Sequence, residues 1–148
     1  MDFKKDRRSI TPLGLLLFAV LILMGSSCKK LIEQKEKSII VDAITNGHWY
    51  VEQYKQDSDD ITSGFYNYEF QFYENGNVDG IKNAVIVSSG NWASDITNYT
   101  ITANFPSSAN DTLKLLNHTW KITDSYLDYV EANTSTATGI NILHLRKK

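Results

Sequence analysis

The sequence predicts an all-β fold, an antiparallel up-and-down barrel of eight strands preceded by a short N-terminal helix. Two patterns support this. From residue 47 onward, apolar and polar residues alternate with a period of two, and turn residues recur about every ten positions. The chain has 148 residues, enough for one domain. Eight antiparallel strands can close into a barrel that leaves no edge exposed.

A short helix is predicted over residues 38–45, ahead of the first strand. Ile40 and Ile44 lie on one helical stripe, and Asn46-Gly47 ends the helix. The first strand is then predicted at residues 47–54.

The clearest predicted strand covers residues 65–73, where four aromatic side chains share one face and polar side chains share the other. Asn75-Gly76 then favours a hairpin turn, because Asn-Gly readily takes positive φ. Another half-buried strand is predicted at residues 99–105. The side chains predicted to face inward from these two strands are Tyr66, Tyr68, Phe70, Phe72, Tyr99, Ile101 and Phe105.

The remaining segments complete the meander. Further strands are predicted at residues 77–81, 84–87, 91–93 and 140–146, with a turn at residues 88–90 and a hairpin over residues 120–130 that turns at Asp124-Ser125. Residues 132–139 are predicted to form a Thr-rich loop. The segment from Leu113 to Leu116 fits either a helical turn or a short strand.

The seven inward-facing residues allow two interpretations. Eight strands enclose a space that side chains either fill or leave open for one small ligand. A packed core is the commoner outcome, and the chain is short, so we expect any cavity to be shallow. Buried tyrosine hydroxyls need hydrogen-bond partners, which favours a wet mouth. These seven residues are therefore both the candidate core and the candidate ligand-binding set.

The charge balance excludes some partners. The formal net charge is −2, and residues 1–27 carry four basic and two acidic residues, so the rest of the chain has a formal net charge of −4. Nucleic acid needs a basic face, and anionic lipid attracts basic segments. We expect neither nucleic acid binding nor electrostatic adhesion to lipid.

Residues 1–27 are predicted to be an export signal. Residues 1–8 are net positive, and residues 13–24 form an apolar run that is too short for a bilayer span of about 20 residues. Gly25-Ser26-Ser27 then precedes Cys28, the one cysteine in the chain. This arrangement resembles a bacterial lipoprotein signal, which implies cleavage before Cys28 and diacylglycerol on its sulfur. An ordinary secretory signal with an incidental cysteine is the alternative.

Residues 28–37 are charged and lack a sustained apolar face, so we interpret them as a tether. Acyl chains on Cys28 would hold a soluble domain on a membrane. No aspartate follows Cys28, and by resemblance to enterobacterial sorting the inner membrane is not signalled. We therefore expect an outer-membrane anchor in the cell envelope, on either the periplasmic or the surface face.

The body of the chain resembles the lipocalin and calycin pattern, in which a helical turn leads into Gly-x-Trp and a basic residue lies on the last strand. Here these residues are Gly47, Trp49 and Arg146. The resemblance implies that Trp49 closes one end of the barrel and that the Arg146 guanidinium stacks over it, a cation–π contact. Residues 47–146 also resemble the lipocalin-like domain of small lipoproteins from Gram-negative bacteria, through the Gly90-Asn91-Trp92 hairpin among other features.

The sequence contains no recognisable set of catalytic or metal-binding residues. His48, His118 and His144 lack the spacing of a zinc site. No Gly-x-Ser-x-Gly nucleophile motif occurs, and the acidic run Asp57–Asp60 lacks the glycine and glutamate of an EF-hand. We expect no cofactor, no metal and no enzymatic activity.

The sequence thus predicts a non-catalytic, lipid-anchored envelope lipoprotein with a lipocalin-like barrel domain at residues 38–148. A small apolar molecule bound in a shallow barrel is the expected ligand. The alternative is a protein–protein interaction or inhibitor module with a solid core, which would contact an unidentified partner through Asp57–Asp60 and residues 132–139.

Overall fold

The computed structural model describes residues 41–148, so the predicted signal, the tether and Cys28 lie outside the described residues. Residues 41–45 are helical and are called α1. The elements that follow are β1 (Trp49–Gln56), β2 (Asp59–Asp60), the 3-10 helix η1 (Thr62–Phe65), β3 (Tyr68–Phe72), β4 (Asn77–Lys82), β5 (Val85–Asp95), β6 (Thr100–Asn104), α2 (Asp111–Lys114), β7 (Thr119–Ser125), β8 (Tyr129–Ser135) and β9 (Ile140–Lys147).

The strands form a closed antiparallel barrel. Eight of them follow one another around the wall in the order β1, β3, β4, β5, β6, β7, β8 and β9, and β9 pairs with β1 to close it. The closing register runs from Trp49 opposite Lys147 to Gln56 opposite Asn141. The two-residue strand β2 folds back on the end of β1. The predicted all-β, eight-stranded antiparallel barrel is therefore confirmed.

Helix α1 and the residues after it set the start of the barrel. The helix ends with a hydrogen bond from the Asn46 N–H to the Asp42 carbonyl, and Gly47 follows with φ +98°, a conformation that glycine adopts without steric cost. The Trp49 indole N–H then donates to the Ile44 carbonyl at 2.8 Å. The predicted short N-terminal helix with its Asn-Gly stop is present.

The antiparallel register separates the connections into two ends. Helix α1 and the turns at residues 73–76, 96–99 and 126–128 lie at one end, here called the open end. The β4–β5 turn, the segment 105–118 that contains α2, and the turn at residues 136–139 lie at the other end, here called the capped end.

Aromatic side chains dominate the core between these ends. The largest fully buried side chains are Trp49, Trp120, Tyr54, Phe70, Phe105, Leu113 and Val78. Alternate residues of β1, β3 and β9 supply much of this core, as the period of two predicts. Burial of apolar surface on this scale is the main contribution that holds the barrel together.

Several predicted boundaries are wrong. β5 runs without a break through residues 88–90, where a turn was expected, because both its ends pair with neighbours. β7 continues through Asp124-Ser125, and the chain turns at residues 126–128 instead. β8 extends to Ser135, so the Thr-rich loop shrinks to residues 136–139. The segment around Leu113 is helical rather than extended.

Tyr66 and Tyr99 do not lie in strands. Tyr66 follows η1 and precedes Asn67, which has φ +67° and reverses the chain before β3 begins. Tyr99 has φ +50° and ends the turn at residues 96–99. A left-handed residue breaks the alternation of side-chain direction, so neither tyrosine continues the inward-facing row of its neighbour.

Among residues 41–148, no helix has the length and apolar character needed to cross a bilayer.

Candidate functional site

The open end of the barrel carries an apolar pocket of about 250 Å³, here called the apolar mouth. Among the described residues, no charged side chain lines it, and Ser125 supplies its one aliphatic hydroxyl. The lining residues are Ala43, Ile44, Trp49, Tyr99, Ile101, Ile122, Ser125, Tyr126, Leu127 and Val130. Such a lining suits an apolar molecule or the apolar part of an amphipathic one.

Trp49 contributes a deeply buried ring to the apolar mouth. Only 1% of its surface is exposed, and its N–H is already bonded to the Ile44 carbonyl of α1. A bound molecule would therefore meet ring carbons rather than an unsatisfied donor. Ile101 and Val130, on β6 and β8, continue the apolar wall.

The cation beside Trp49 is Lys147 rather than Arg146. The Lys147 ammonium lies 5.1 Å from the Trp49 ring centroid and donates to the Ala43 carbonyl at 2.8 Å. Lys147 is opposite Trp49 in the β1–β9 register, whereas Arg146 is opposite Tyr50. Because neighbouring residues of a strand point to opposite faces, the prediction that Arg146 stacks over Trp49 is wrong.

Arg146 instead lies on the outer face of the barrel. Its guanidinium binds the Glu52 carboxylate in two hydrogen bonds of 3.1 and 3.2 Å, and it lies 5.5 Å from the Tyr129 ring centroid. The hydrogen bond to Glu52, assisted by the charges of Glu52 and Asp128, raises the pKa of Arg146. This arrangement links β9 to its two neighbours, β1 and β8.

Three exposed side chains form the rim of the apolar mouth. Tyr99, Tyr126 and Leu127 are 61%, 69% and 59% exposed. The turn that presents Tyr99 is held by Asp95, whose carboxylate accepts from the backbone N–H of Thr97 and from the side chain and backbone of Asn98. These bonds hold the pKa of Asp95 below its ordinary value, with the Asn98 side chain as the largest cause.

The barrel interior below the mouth is filled by side chains. Phe70 and Phe105 meet edge to face, with ring centroids 6.4 Å apart. A Cβ on Gly80 would lie 2.9 Å from the Leu113 side chain, so the segment 105–118, here called the cap segment, packs directly on the barrel wall. Buried aromatic side chains and the residues of the capped end thus occupy the interior below the mouth.

Hydrogen bonds to the cap segment close the capped end. The Tyr54 hydroxyl donates to the Leu115 carbonyl at 2.9 Å, and the Trp120 indole N–H donates to the Leu116 carbonyl at 3.0 Å. Burial raises the pKa of Tyr54 to about 12, although a hydrogen bond from Asn141 acts in the opposite direction. These buried donors fix the cap in place.

A second, more polar groove of about 500 Å³ lies outside the barrel, beside β1 and the start of β3. Its floor includes Tyr68, and its edge includes Glu69, which accepts from Lys148 at 2.6 Å and from His48 at 2.8 Å. The Lys148 bond, and next the His48 bond, hold the pKa of Glu69 below its ordinary value. The Lys148 ammonium and the His48 ring thus both bind the Glu69 carboxylate.

The structure distributes the seven predicted ligand residues over three places. Tyr99 and Ile101 line the apolar mouth. Tyr66 and Tyr68 line the outer groove, where Tyr66 is largely exposed and Tyr68 is buried. The remaining three are core residues, namely Phe70, Phe72 and Phe105. They do not converge on a single site, and ligand binding by any of them stays a prediction.

Sequence reasoning missed most of the mouth. It did not select Ile122, Tyr126, Leu127 or Val130, because it placed the intervening turn two residues too early. The adjacent pair Tyr126-Leu127 was the available signal, since two neighbouring apolar residues of a strand cannot both face the core. Their joint presence fits an apolar turn better than a strand.

The histidines lie apart from the mouth. His48 pairs with Glu69, and His118 meets the Trp120 ring edge to face with centroids 5.6 Å apart. Within residues 41–148 no group of three or more His, Cys, Asp or Glu side chains is arranged to hold a metal ion. The expectation of no metal and no catalysis stays a prediction.

The fold and the site together define a closed eight-stranded antiparallel barrel protein with a filled interior and an apolar pocket at one end. It is similar to a DUF4847 family protein from Bacteroides vulgatus, with a TM-score of 0.53 and 10% sequence identity over 74% of this chain and 97% of that chain. This likeness shows the fold alone. No family model and no curated protein matches the chain.

Proposed function

We propose that this protein is a non-catalytic, lipid-anchored envelope lipoprotein that binds a small apolar or amphipathic molecule in its apolar mouth. The observation that carries the proposal is the pocket of about 250 Å³ at the open end, with its apolar lining and exposed rim. The lipocalin-like relationship implied by Gly47 and Trp49 belongs to the same proposal.

The sequence supports the lipid anchor. Cys28 closes a segment that resembles a lipoprotein signal, and residue 41, where α1 is first described, lies 13 positions further on. A chain of this length spans at most about 45 Å. Since α1 itself lines the apolar mouth, an anchor on Cys28 would keep the mouth within that reach of an outer-membrane leaflet.

The lining supports binding rather than catalysis. General acid–base chemistry needs a positioned titratable side chain, and among the described residues the only titratable side chains that line the mouth are Tyr99 and Tyr126. Both are largely exposed. The ammonium of Lys147 is committed to the Ala43 carbonyl and the Trp49 ring.

Native mass spectrometry provides the test of ligand binding. Residues 28–148 carrying Cys28→Ser would be incubated with a lipid extract of the native envelope and, separately, with a long-chain fatty acid as a defined probe. We expect a one-to-one complex in which Leu127→Asp weakens binding at least about tenfold, because a carboxylate at the rim disfavours an adjacent apolar chain and repels the fatty-acid carboxylate.

Ile140→Asp is the matched control. Ile140 is 55% exposed, close to the exposure of Leu127, but it lies at the capped end. Its substitution should leave binding unchanged. A protein that binds neither extract components nor the fatty acid would refute the ligand proposal. Equal weakening of binding by both variants would show that the ligand does not bind at the apolar mouth.

The filled interior favours a second candidate function, an interaction or inhibitor module. Of the two contact regions expected for it, Asp57–Asp60 includes β2 and the second is reduced to the turn at residues 136–139. Photo-crosslinkers at Ser58 and Ala137 should capture one abundant envelope protein if this function is correct. A diffuse pattern of products would count against it.

A further inference from the structure

The hairpin formed by β4 and β5 presents three consecutive exposed apolar residues at the capped end. Val85, Ile86 and Val87 are 62%, 57% and 44% exposed. Neighbouring strand residues point to opposite faces, so both faces of the hairpin tip are open. The tip turns through Asn83 and Ala84, which have φ of +52° and +62°.

One edge of this strand segment has no partner strand in the described part of the chain. β5 pairs with β4 from Val85 onward but with β6 only from Asn91 to Asp95. Within residues 41–148, no ladder pairing therefore joins residues 85–89 to a second strand. The second half of β5 is closed into the barrel, and the first half projects with a free edge.

The sequence after β6 explains the free edge. Pro106 lacks the N–H that a ladder needs, so β6 ends and the chain turns into the cap. The Asn117 side chain accepts from the Phe105 N–H at 2.6 Å and donates to the Phe105 carbonyl at 2.9 Å. These bonds continue the β6–β7 pairing by one residue, since the Ala103 N–H donates to the His118 carbonyl on the same side of β6.

The free edge lacks two of the usual protections against strand addition, charge and proline, and the one irregularity of this segment is a β-bulge at Val87 in its pairing with β4. Natural edge strands carry charges or proline that discourage pairing, whereas residues 83–94 contain neither. Three β-branched residues in succession favour extended pairing. Such an edge is suited to accept one more antiparallel strand.

We propose that two copies of this chain pair through residues 85–87, antiparallel, about a two-fold axis at Ile86. A two-fold contact uses the same patch on both copies. In this register Val85 of one copy faces Val87 of the other, and the two copies of Ile86 face each other. Each apolar residue of the exposed run therefore meets an apolar residue across the contact.

The charges near the edge fit this pairing. Lys82 is the nearest charged residue along the chain, and its ammonium is held 4.6 Å from the centroid of its own Tyr68 ring. Lys82 lies on β4, across the hairpin from Val85, and not on the free edge, so no like charges meet along the contact. A foreign strand with charged residues would instead place them against the uncharged residues 83–89.

The backbone geometry selects Ile86 as the central residue. Lys82 and Val85 flank a two-residue turn and are opposite one another, and the flanking pair of such a hairpin exchanges its hydrogen bonds. The next residue, Ile86, then directs its N–H and C=O to the free edge. Two copies of Ile86 can therefore form a hydrogen-bonded pair with Cα atoms about 5.5 Å apart.

Disulfide trapping in the full chain tests this register. An Ile86→Cys variant should form an intermolecular disulfide on mild oxidation, since a Cα separation of about 5.5 Å suits that bond. We expect at least about tenfold more covalent dimer than in either of two controls. The parent chain controls for disulfides through Cys28, and Ile140→Cys places a cysteine at a similarly exposed site elsewhere. Peptide mapping should find residue 86 linked to residue 86.

Sedimentation of the full chain in detergent supplies an independent measurement. The parent chain should dimerise with rising concentration, and Ile86→Lys should raise the dissociation constant at least about tenfold while Ile140→Lys leaves it unchanged, because a charge at an edge discourages strand pairing. Equal thermal midpoints of the variants would establish that both are folded.

Three outcomes would overturn the proposal. They are a parent chain that stays monomeric up to millimolar concentration, an Ile86→Cys variant that crosslinks no more than the Ile140→Cys control, and an Ile86→Cys variant that crosslinks to a different envelope protein. The last outcome would assign the edge to a foreign strand. Ligand binding at the apolar mouth is measured separately, so its failure would leave this pairing unaffected.

Discussion

The two ends of the barrel use the same kind of bond but reach different degrees of closure. At the capped end, Tyr54 and Trp120 donate to carbonyls of the 105–118 segment. At the open end, Trp49 and Lys147 donate to carbonyls of α1. In both places a side chain of the wall holds a covering segment through its main chain.

The difference lies in how much apolar surface each covering segment supplies. The cap inserts Leu113 and Leu116, which are both buried. Within the described residues, α1 buries only Ile44 in the core, and an apolar pocket remains beside it. The same barrel therefore closes one end with buried apolar side chains and leaves an apolar pocket at the other.

Removal of the tryptophan at either end should produce the largest effect. Trp49→Ala and Trp120→Ala should each lower the free energy of unfolding by about 3–5 kcal/mol, because each leaves a large cavity in the core. Urea denaturation measures this. Trp49→Ala should also alter ligand binding at the mouth, whereas Trp120→Ala should not. An unchanged thermal midpoint for Trp49→Ala would show that Trp49 does not close the barrel end.

Removal of the Tyr54 hydroxyl tests the contribution of the capped end to stability. Tyr54→Phe leaves the Leu115 carbonyl without its donor and should cost about 1–3 kcal/mol of stability. The unfolded phenol ionises near its ordinary pKa of 10.0, and the folded one has a pKa of about 12. Since the raised pKa favours the neutral folded form, its contribution to stability is present below pH 10 and is lost as the pH rises towards 12.

The pH dependence of stability in the Tyr54→Phe variant is the control for the ionisation of Tyr54. Tyr54→Phe should lose less stability between about pH 10 and pH 12 than the parent chain, as followed by urea denaturation at each pH. Identical slopes for the two proteins would mean that the Tyr54 phenol is not buried in the folded state.

Substitutions of Lys147 and Arg146 test which of the two cations stabilises the open end by packing on Trp49. Lys147→Met should lower the free energy of unfolding by about 1–2 kcal/mol, through the loss of a cation–π contact and a hydrogen bond. Arg146→Met should have a smaller effect, because its carboxylate partners are exposed. Thermal melts of both variants decide the point, and a larger loss for Arg146→Met would restore Arg146 as the closing residue.

Tyr126 should show the smallest effect on stability. Tyr126→Ser should change the free energy of unfolding by less than about 0.5 kcal/mol, because the side chain is largely exposed. Binding of the fatty-acid probe should nevertheless weaken. A loss of stability without a loss of binding would identify Tyr126 as part of the fold and not of the binding site.

Much of the fold could be predicted from local pattern. The period of two in residues 68–72 and the Asn75-Gly76 turn specify a hairpin through neighbouring residues alone. Helix α1 and its glycine stop are equally local. The positions of Tyr66 and Tyr99 could not be predicted in this way, because left-handed backbone at Asn67 and at Tyr99 itself interrupts the alternation.

The candidate site was harder to predict because it depends on residues distant in sequence. The apolar mouth brings Ala43 and Ile44 together with residues between 99 and 130. A pattern of alternation states which residues face inward, but it does not state which of them lie at an end. That information comes from the register between strands and from the positions of the turns.

By itself, the sequence determined the all-β class and the N-terminal helix, because both follow from local periodicity and turn residues, and it predicted the eight-stranded barrel because closure leaves no strand edge exposed. Only the tertiary structure decided that Lys147 and not Arg146 accompanies Trp49, and that one end is capped while the other keeps a pocket. The choice of cation depends on the pairing between β1 and β9, strands at opposite ends of the described chain. A shift of one residue in that register would exchange the two cations between the faces of the barrel.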